Sequence, residues 1–528
     1  MERPNKRRKL ESFERPISPP PRKSRDPNIV PSPTVGTKDT SEKNTAKATS
    51  SSDIPRKSAF RLTTISDLDD ASNIDTISIQ DILGDPLLKE VWLFDYLFNL
   101  DFCMSQFDRD ALVQVKIVHG NWKTESPMRQ HLEEASKKFD NVEIICAYMP
   151  EPFGTHHSKM MVLFRHDGFA QVVVHTANLI PFDCENMTQG VWLSPLLPGL
   201  KDDGRDEEGE EHALGTGERF KVDLLRYLKQ YGRKTKELVT QLEAFDFAAI
   251  RAAFIASAPT KEMLNESSTS DYTAFGWPGL KQVLKTINKA SKADDTVVMQ
   301  VSSIATLNEK WIDNFNEVLH TQTKQASLGI KSKTRLVWPT VEDVRLSLNG
   351  YESGGSIHLK GTSKAQKKQI ISLRSMMYRW SGSSVPPASS SASTTGNAMR
   401  SLAAPHIKTF IRYSQDFGNI RWALLSSANL STQAWGALPD KEGRVRICSW
   451  EVGVMIWPKL FETEDESLDM VPVFGQDGLD GDDSSPKSIP LRIPYDLPLQ
   501  RYTQDDEPWC TTEAHSEPDH NGMAWPAR

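Results

Sequence analysis

From about residue 76 the chain alternates short apolar runs with longer amphipathic ones. Val113-Gln-Val-Lys-Ile-Val118 and Val142-Glu-Ile-Ile-Cys146 have the length and composition of strands, and Pro127 to Phe139 between them has helical spacing. Met160-Met-Val-Leu-Phe164, the turn signal Asp167-Gly168 and Gln171-Val-Val-Val174 predict an antiparallel hairpin. Phe220 to Leu228 reads as a helix, with further helical sequence to about Ala258. The cycle then restarts, with a helix at Leu280 to Ile287, a strand at Val297 to Val301, a helix at Lys310 to Leu319 and a strand at Arg335 to Trp338. Strands alternating with helices predict an α/β layered architecture around a largely buried sheet.

The second half repeats more than this rhythm. Gly154-Thr-His-His157-Ser-Lys159 is matched by Pro405-His406-Ile-Lys408. Each His-x-Lys is read as part of a strand, where side chains two apart share a face and stand about 7 Å from each other. After each pair come a turn, a second strand and then Ala-Asn-Leu, which would return Asn178 and Asn429 to the neighbourhood of their own His-x-Lys. Gln189-Gly-Val-Trp-Leu-Ser-Pro195 is likewise echoed by Glu451-Val-Gly-Val-Met-Ile-Trp-Pro458. The expectation is two similar α-β-α halves facing each other across a pseudo-twofold axis, with one His-x-Lys from each at the interface.

Composition adds the punctuation. Residues 1–75, rich in Ser, Pro, Thr and Lys, are expected to form a disordered basic arm, followed by an N-terminal catalytic half at 76–270 and a C-terminal half at 271–528. Disordered insertions are expected near 199–215, 381–397 and 462–487. The net charge of −7 conceals an uneven distribution: residues 1–61 hold 15 Lys and Arg against seven Asp and Glu, a net +8, so the remainder carries −15. The overall sign therefore says little about any one groove. Lys6-Arg-Arg-Lys9 is read as a nuclear import signal, the bland alternative being a solubilising tail. No apolar run approaches the ~20 residues that span a bilayer, so no membrane association is expected. The five cysteines, at 103, 146, 184, 448 and 510, have no paired spacing, which argues against a disulfide framework or zinc cluster.

Two lysines and two asparagines converging on one point, with no carboxylate expected there to hold a metal, suit a phosphoryl group. Two histidines on opposite sides permit in-line displacement. One neutral imidazole attacks phosphorus while the other, protonated, donates to the leaving oxygen; the resulting phosphohistidine is hydrolysed by a water that the second imidazole deprotonates. No metal or cofactor is required. Gln189 and Glu451 precede the matching Gly-Val strands and are candidates to orient the histidines through their other ring nitrogen, although the residue pattern leaves that open. His119, His156 and His175 are read as structural.

These motifs, together with Pro339-Thr-Val-Glu-Asp-Val-Arg345 and Asn521-Gly-Met-Ala-Trp525, resemble the tyrosyl-DNA phosphodiesterases, members of the phospholipase D superfamily. The chain departs from other superfamily members, which carry Asp a few residues after the lysine; here those positions are Phe164 and Tyr413. The resemblance implies hydrolysis of the bond between a topoisomerase I tyrosine and a DNA 3′ end, leaving a 3′-phosphate. It implies His157 as nucleophile and His406 as general acid and base, with Lys159, Lys408, Asn178 and Asn429 holding the phosphate. It also implies DNA contacts from Phe153 and Gly154 at the channel mouth, and from Ser303, Thr306 and Ser431 along the backbone. A groove tyrosine that the family often has near Leu100 is not evident. The implied partners are single-stranded or frayed DNA 3′ ends and a topoisomerase I peptide remnant, met in the nucleus by a chain expected to act as a monomer. The competing readings are another metal-independent nuclease or phosphodiesterase of the superfamily, and a non-catalytic DNA-end binder.

Overall fold

The structure, a computed structural model, describes residues 55–200, 212–264, 271–287, 294–321, 333–382, 394–463, 466–479 and 488–527, all within the unit from Ser52 to Arg528. Two sheets organise them, and their strand orders correspond. In the first, Leu88–Phe94 lies parallel to Gln114–His119, which lies parallel to Val142–Cys146; on its other side Met160–Arg165, Phe169–His175 and Gly190–Leu193 follow, each antiparallel to its neighbour. In the second, Thr296–Gln300 takes the place of Leu88–Phe94, with Thr334–Val337 and Met377–Arg379 parallel on one side. Thr409–Tyr413, Ile420–Ser426 and Glu451–Ile456 continue antiparallel on the other. The duplicated motifs thus occupy equivalent places in equivalent sheets.

These strands read as continuous apolar runs because both of their faces are covered. Along Met160–Arg165, Met160, Val162 and Phe164 enter the core that unites the two sheets, whereas Met161 and Leu163 pack on the opposite face with Val91, Val115 and Ile117. The shared core is sealed by the helix Gly217–Lys229. Thr216 caps its N-terminus, and Phe220, Leu224 and Leu228, four apart, are fully buried. Tyr227 and Tyr231 from this region pack against Trp450 of the second half.

Three boundaries differ from the sequence reading. The fold begins by residue 55 rather than 76: Arg61–Leu62 adds an antiparallel edge strand to Gly190–Val191, and Phe60, Leu62 and Ile65 are buried. A few alternating apolar residues suffice for an edge strand, and they are inconspicuous among Ser, Thr and Lys. Residues 1–54, including Lys6 to Lys9, lie outside the described residues. The boundary at 270 is also misplaced, because Ala253–Ser257 pairs with Glu451–Met455 in the second sheet and Thr260–Met263 pairs with Arg444–Ile447. Finally, the expected insertions are only partly outside the described residues. Gly199 bridges to Phe245, Gly396 bridges to Leu497, and Asp469–Val473 pairs with Ser488–Arg492, a strand that acidic flanks concealed; 201–211, 383–393, 464–465 and 480–487 are not described.

Candidate active site

The two histidines sit where the halves exchange backbone. Both His-x-Lys pairs lie in extended chain just ahead of their strands, which begin at Met160 and Thr409, rather than within them. The strand-like run is interrupted because the partner at that point comes from the other half. His157 N–H donates to Trp450 O at 2.9 Å, and His406 N–H donates to Thr188 O at 3.0 Å. The residue after each carbonyl then presents its side chain to the same ring. Glu451 Oε2 lies 2.9 Å from His157 Nδ1, and the Gln189 amide lies 3.2–3.3 Å from His406 Nδ1. Each half therefore builds the other half's histidine, and both rings leave Nε2 free of these contacts.

Both partners are themselves fixed. Ser427 Oγ accepts from Val452 N–H at 2.9 Å and donates to Glu451 Oε2 at 2.6 Å. Gln189 accepts from Thr176 Oγ1 at 2.8 Å and donates to Asp183 O at 3.1 Å.

The two histidines and two lysines also act on one another electrostatically. Burial lowers the pKa of His157 from its ordinary value; Lys159 and Lys408 add to the effect while Glu451 opposes it. His406 is pushed well below the ordinary value by burial, then by Lys408, Lys159 and His157. Burial likewise drives Lys408 well below the ordinary lysine range, with Lys159 acting in the same direction. Two buried lysines that each disfavour the other's charge are an arrangement that a phosphate anion relieves. The Lys159 Nζ is 3.4 Å from His157 O, and the Lys408 Nζ donates to His406 O, so each lysine is held against its own histidine.

Single carboxylates do border the site. Asp95, Asp183 and Glu451 all border the site, Asp95 Oδ1 lying 3.7 Å from Lys159 Nζ. Burial pushes the Asp95 carboxyl up to about 8 against the pull of Lys159. Neither aspartate lies in a His-x-Lys motif; their signals were an Asp directly after the Leu88–Phe94 strand and an Asp five residues after Asn178.

The asparagines are not equivalently held. Asn429 Oδ1 accepts from Ser302 N–H and Ser303 N–H at 3.0 and 2.8 Å, leaving its amide N–H groups for the pocket. Asn178 is reversed: its Nδ2 donates to Asp183 Oδ2 at 2.7 Å, and its Oδ1 is buried with no hydrogen-bond partner among the described residues.

A tyrosine does border the site: Tyr96, four residues before Leu100. Its ring lies 5.7 Å from that of His157, and the Lys159 ammonium is 5.9 Å from its centroid. Phe153 is 78% exposed on the loop ahead of His157, and Gly154 packs so tightly against Cys448 O that a Cβ would overlap it. Ser303 and Thr306 line a cavity of ≈ 260 Å³ with His358, Lys360, Gln366 and Gln369. Ser431 Oγ accepts from Ala434 N–H as a cap, a bond that leaves its hydroxyl proton uncommitted. His156 bonds Asp95 O and Tyr231 OH, His175 bonds Ala177 O, and His119 accepts from Asn121 N–H, as structural histidines do.

Comparison with known proteins gives this geometry its class. The family model described as tyrosyl-DNA phosphodiesterase matches residues 59–503. The chain belongs to the tyrosyl-DNA phosphodiesterase family. It is 29% identical over 536 residues to the probable tyrosyl-DNA phosphodiesterase of Schizosaccharomyces pombe, covering 88% of this chain and 95% of that one. It is 32% identical over 502 residues to tyrosyl-DNA phosphodiesterase 1 of Arabidopsis thaliana, covering 89% and 76%. The crystal structure of the yeast tyrosyl-DNA phosphodiesterase has the same fold, with TM-score 0.61 at 22% identity over 85% of this chain and 98% of that one. As a tyrosyl-DNA phosphodiesterase the chain is a DNA repair hydrolase of phospholipase D-like fold. No helix among the described residues is long and apolar enough to cross a membrane.

Proposed function

We propose that this phosphodiesterase removes a topoisomerase I tyrosyl remnant from a DNA 3′ end through a covalent phosphohistidine and leaves a 3′-phosphate. Neutral His157 attacks phosphorus through Nε2, its Nδ1 proton held by Glu451. His406, protonated, gives its Nε2 proton to the tyrosine oxygen as the P–O bond breaks. A phenol needs less protonation than an aliphatic alcohol, so an imidazolium suffices. His406, now neutral, takes a proton from water as that water's oxygen bonds phosphorus and the P–Nε2 bond to His157 breaks. Lys159, Lys408 and the Asn429 amide stabilise the charge on the phosphoryl oxygens without a metal.

The observation that carries this reading is the reciprocal exchange, Trp450 O to His157 N–H and Thr188 O to His406 N–H, which sets one imidazole from each half at a common pocket. One chain supplies both imidazoles, which supports action as a monomer. The exposed Phe153 and the Ser303–Thr306 cavity suit a single-stranded or frayed end, by stacking and by phosphate contact. The basic cluster Lys6 to Lys9 supports a nuclear location.

The test is release of tyrosine from a 3′-phosphotyrosyl oligonucleotide in EDTA, with phosphatidylcholine as the competing substrate. We expect release by the parent and no protein-linked label with His157→Ala. His406→Ala should accumulate protein-linked DNA on denaturing gels. Parental turnover by His157→Ala would refute the mechanism.

A further inference from the structure

Asp183 has no duplicate. It stands five residues after Asn178; the residue five after Asn429 is Ala434. In a molecule whose site is otherwise built twice, a side chain present in one half alone marks a difference between the two histidines. Asp183 is fully buried, and its Oδ2 accepts from both the backbone N–H and the side-chain Nδ2 of Asn178, at 2.8 and 2.7 Å. The same Oδ2 lies 3.4 Å from His406 Nδ1. The Asp183 main-chain carbonyl accepts from Gln189, the other neighbour of that nitrogen, and Ser356 Oγ is 3.4 Å from Oδ1. The carboxyl is therefore clamped from several sides with one oxygen toward the ring; burial raises its pKa, while the Asn178 donors, Lys408 and Lys159 favour the charged form.

We propose that Asp183 is the carboxylate that supports protonated His406, standing beside Gln189, which holds the place that Glu451 holds at His157, and that Asn178 helps to aim it. This rests on the role given above to His406. Glu451 supports a ring that must be neutral when it attacks, whereas Asp183 supports a ring that must arrive carrying a proton. The titratable groups facing His406 are Asp183, His157 and Lys159 from the first half, and Lys408 and His358 from the second. All except Asp183 disfavour the imidazolium, and Gln189 is neutral. Without a carboxylate at Nδ1, nothing among these groups would hold the proton that the leaving tyrosine requires. In the hydrolytic step the water's proton passes to Nε2, its oxygen bonds phosphorus and the P–N bond to His157 breaks; the imidazolium left behind again faces Asp183. The Nδ1 proton stays on the ring throughout.

The test uses the full chain, the 3′-phosphotyrosyl oligonucleotide and the variants Asp183→Asn and Asp183→Glu. Loss of an opposite charge this close should lower the pKa of His406 by about one unit or more, within the usual range of roughly 1 to 3. The alkaline limb of kcat, which falls as pH rises and His406 loses its proton, should move to lower pH by that amount in Asp183→Asn. On the parent's alkaline limb that is a loss of about tenfold or more in kcat, and a smaller one at its optimum, with KM little changed. Asp183→Glu, which keeps the charge, should retain the parental limb even if slower. A folded Asp183→Asn enzyme with the parental limb would overturn the assignment, since a purely structural role would lower activity without displacing it. If Asp183→Asn does not fold, proton NMR of the parent decides. Two strongly downfield ring N–H resonances are expected at acid pH, one lost in His157→Ala and the other in His406→Ala, and absence of the second would overturn the proposal. A parent that releases no tyrosine in EDTA would instead strike at the role of His406 itself.

Discussion

Replacing Glu451 by Gln probes the proposed nucleophile, His157, with little change of shape. Ser427 Oγ already accepts from Val452 N–H, so its own proton must go to residue 451, which keeps the carbonyl oxygen of a glutamine beside it. The His157 Nδ1–H then keeps an acceptor, but a neutral one. A hydrogen bond to a charged group contributes about 1.5–3 kcal/mol and one between neutral groups about 0.5–1.5, so the developing imidazolium loses roughly 1–1.5 kcal/mol. That corresponds to about one pK unit at His157 and about a tenfold slower attack on phosphorus. The sign is definite. Glu451 raises the pKa of His157 against burial and the two lysines, so its removal lowers that pKa and the acid limb of kcat/KM moves to lower pH. Single-turnover formation of the protein–DNA adduct, quenched in acid and resolved on denaturing gels, measures the rate; kcat/KM from pH 4 upward measures the limb. An unchanged adduct rate together with an unmoved acid limb would refute the argument that this contact tunes the nucleophile.

Two further perturbations test the surroundings of the pocket. Lys360→Ala removes an exposed cation from the cavity beside Ser303 and Thr306; single-stranded DNA binding followed by fluorescence anisotropy should weaken uniformly across sequences, and the slope of log K against log salt should fall by roughly 0.7, the share of one phosphate. Gly154→Ala places a methyl group against the Cys448 carbonyl, which should cost about 1–3 kcal/mol of stability in thermal unfolding and, by moving the loop three residues before His157, slow adduct formation as well; a variant with parental stability and rate would show that the two loops yield freely there.

How much could be seen without coordinates is clear from particular residues. Met160 to Phe164 and Ile420 to Ser426 announce themselves as buried strands, because burial on both faces demands a nearly unbroken apolar run. The repeated His-x-Lys and Ala-Asn-Leu named most of the chemical groups. Tyr96 escaped notice because nothing local separates a tyrosine that borders the His157 ring from one on an ordinary loop. Asn178 looked like a twin of Asn429 because the distinction lies in which amide atom is engaged, by Asp183 in one case and by the Ser302 and Ser303 N–H groups in the other.

The amino-acid order by itself determined the layered α/β class, the duplication and the identities of both histidines and both lysines. These depend on periodicity and short motifs, which are relations between residues close along the chain. The tertiary structure decided which half completes which site. His157 meets Glu451 across 294 residues and His406 meets Gln189 across 217, so neither pairing has a local signature. It also decided that Ala253–Ser257 crosses to the second sheet, and that Asp95 and Asp183 stand at the pocket. Backbone pairing and charge act through space, and their partners are set by how the two sheets pack rather than by neighbours in the chain.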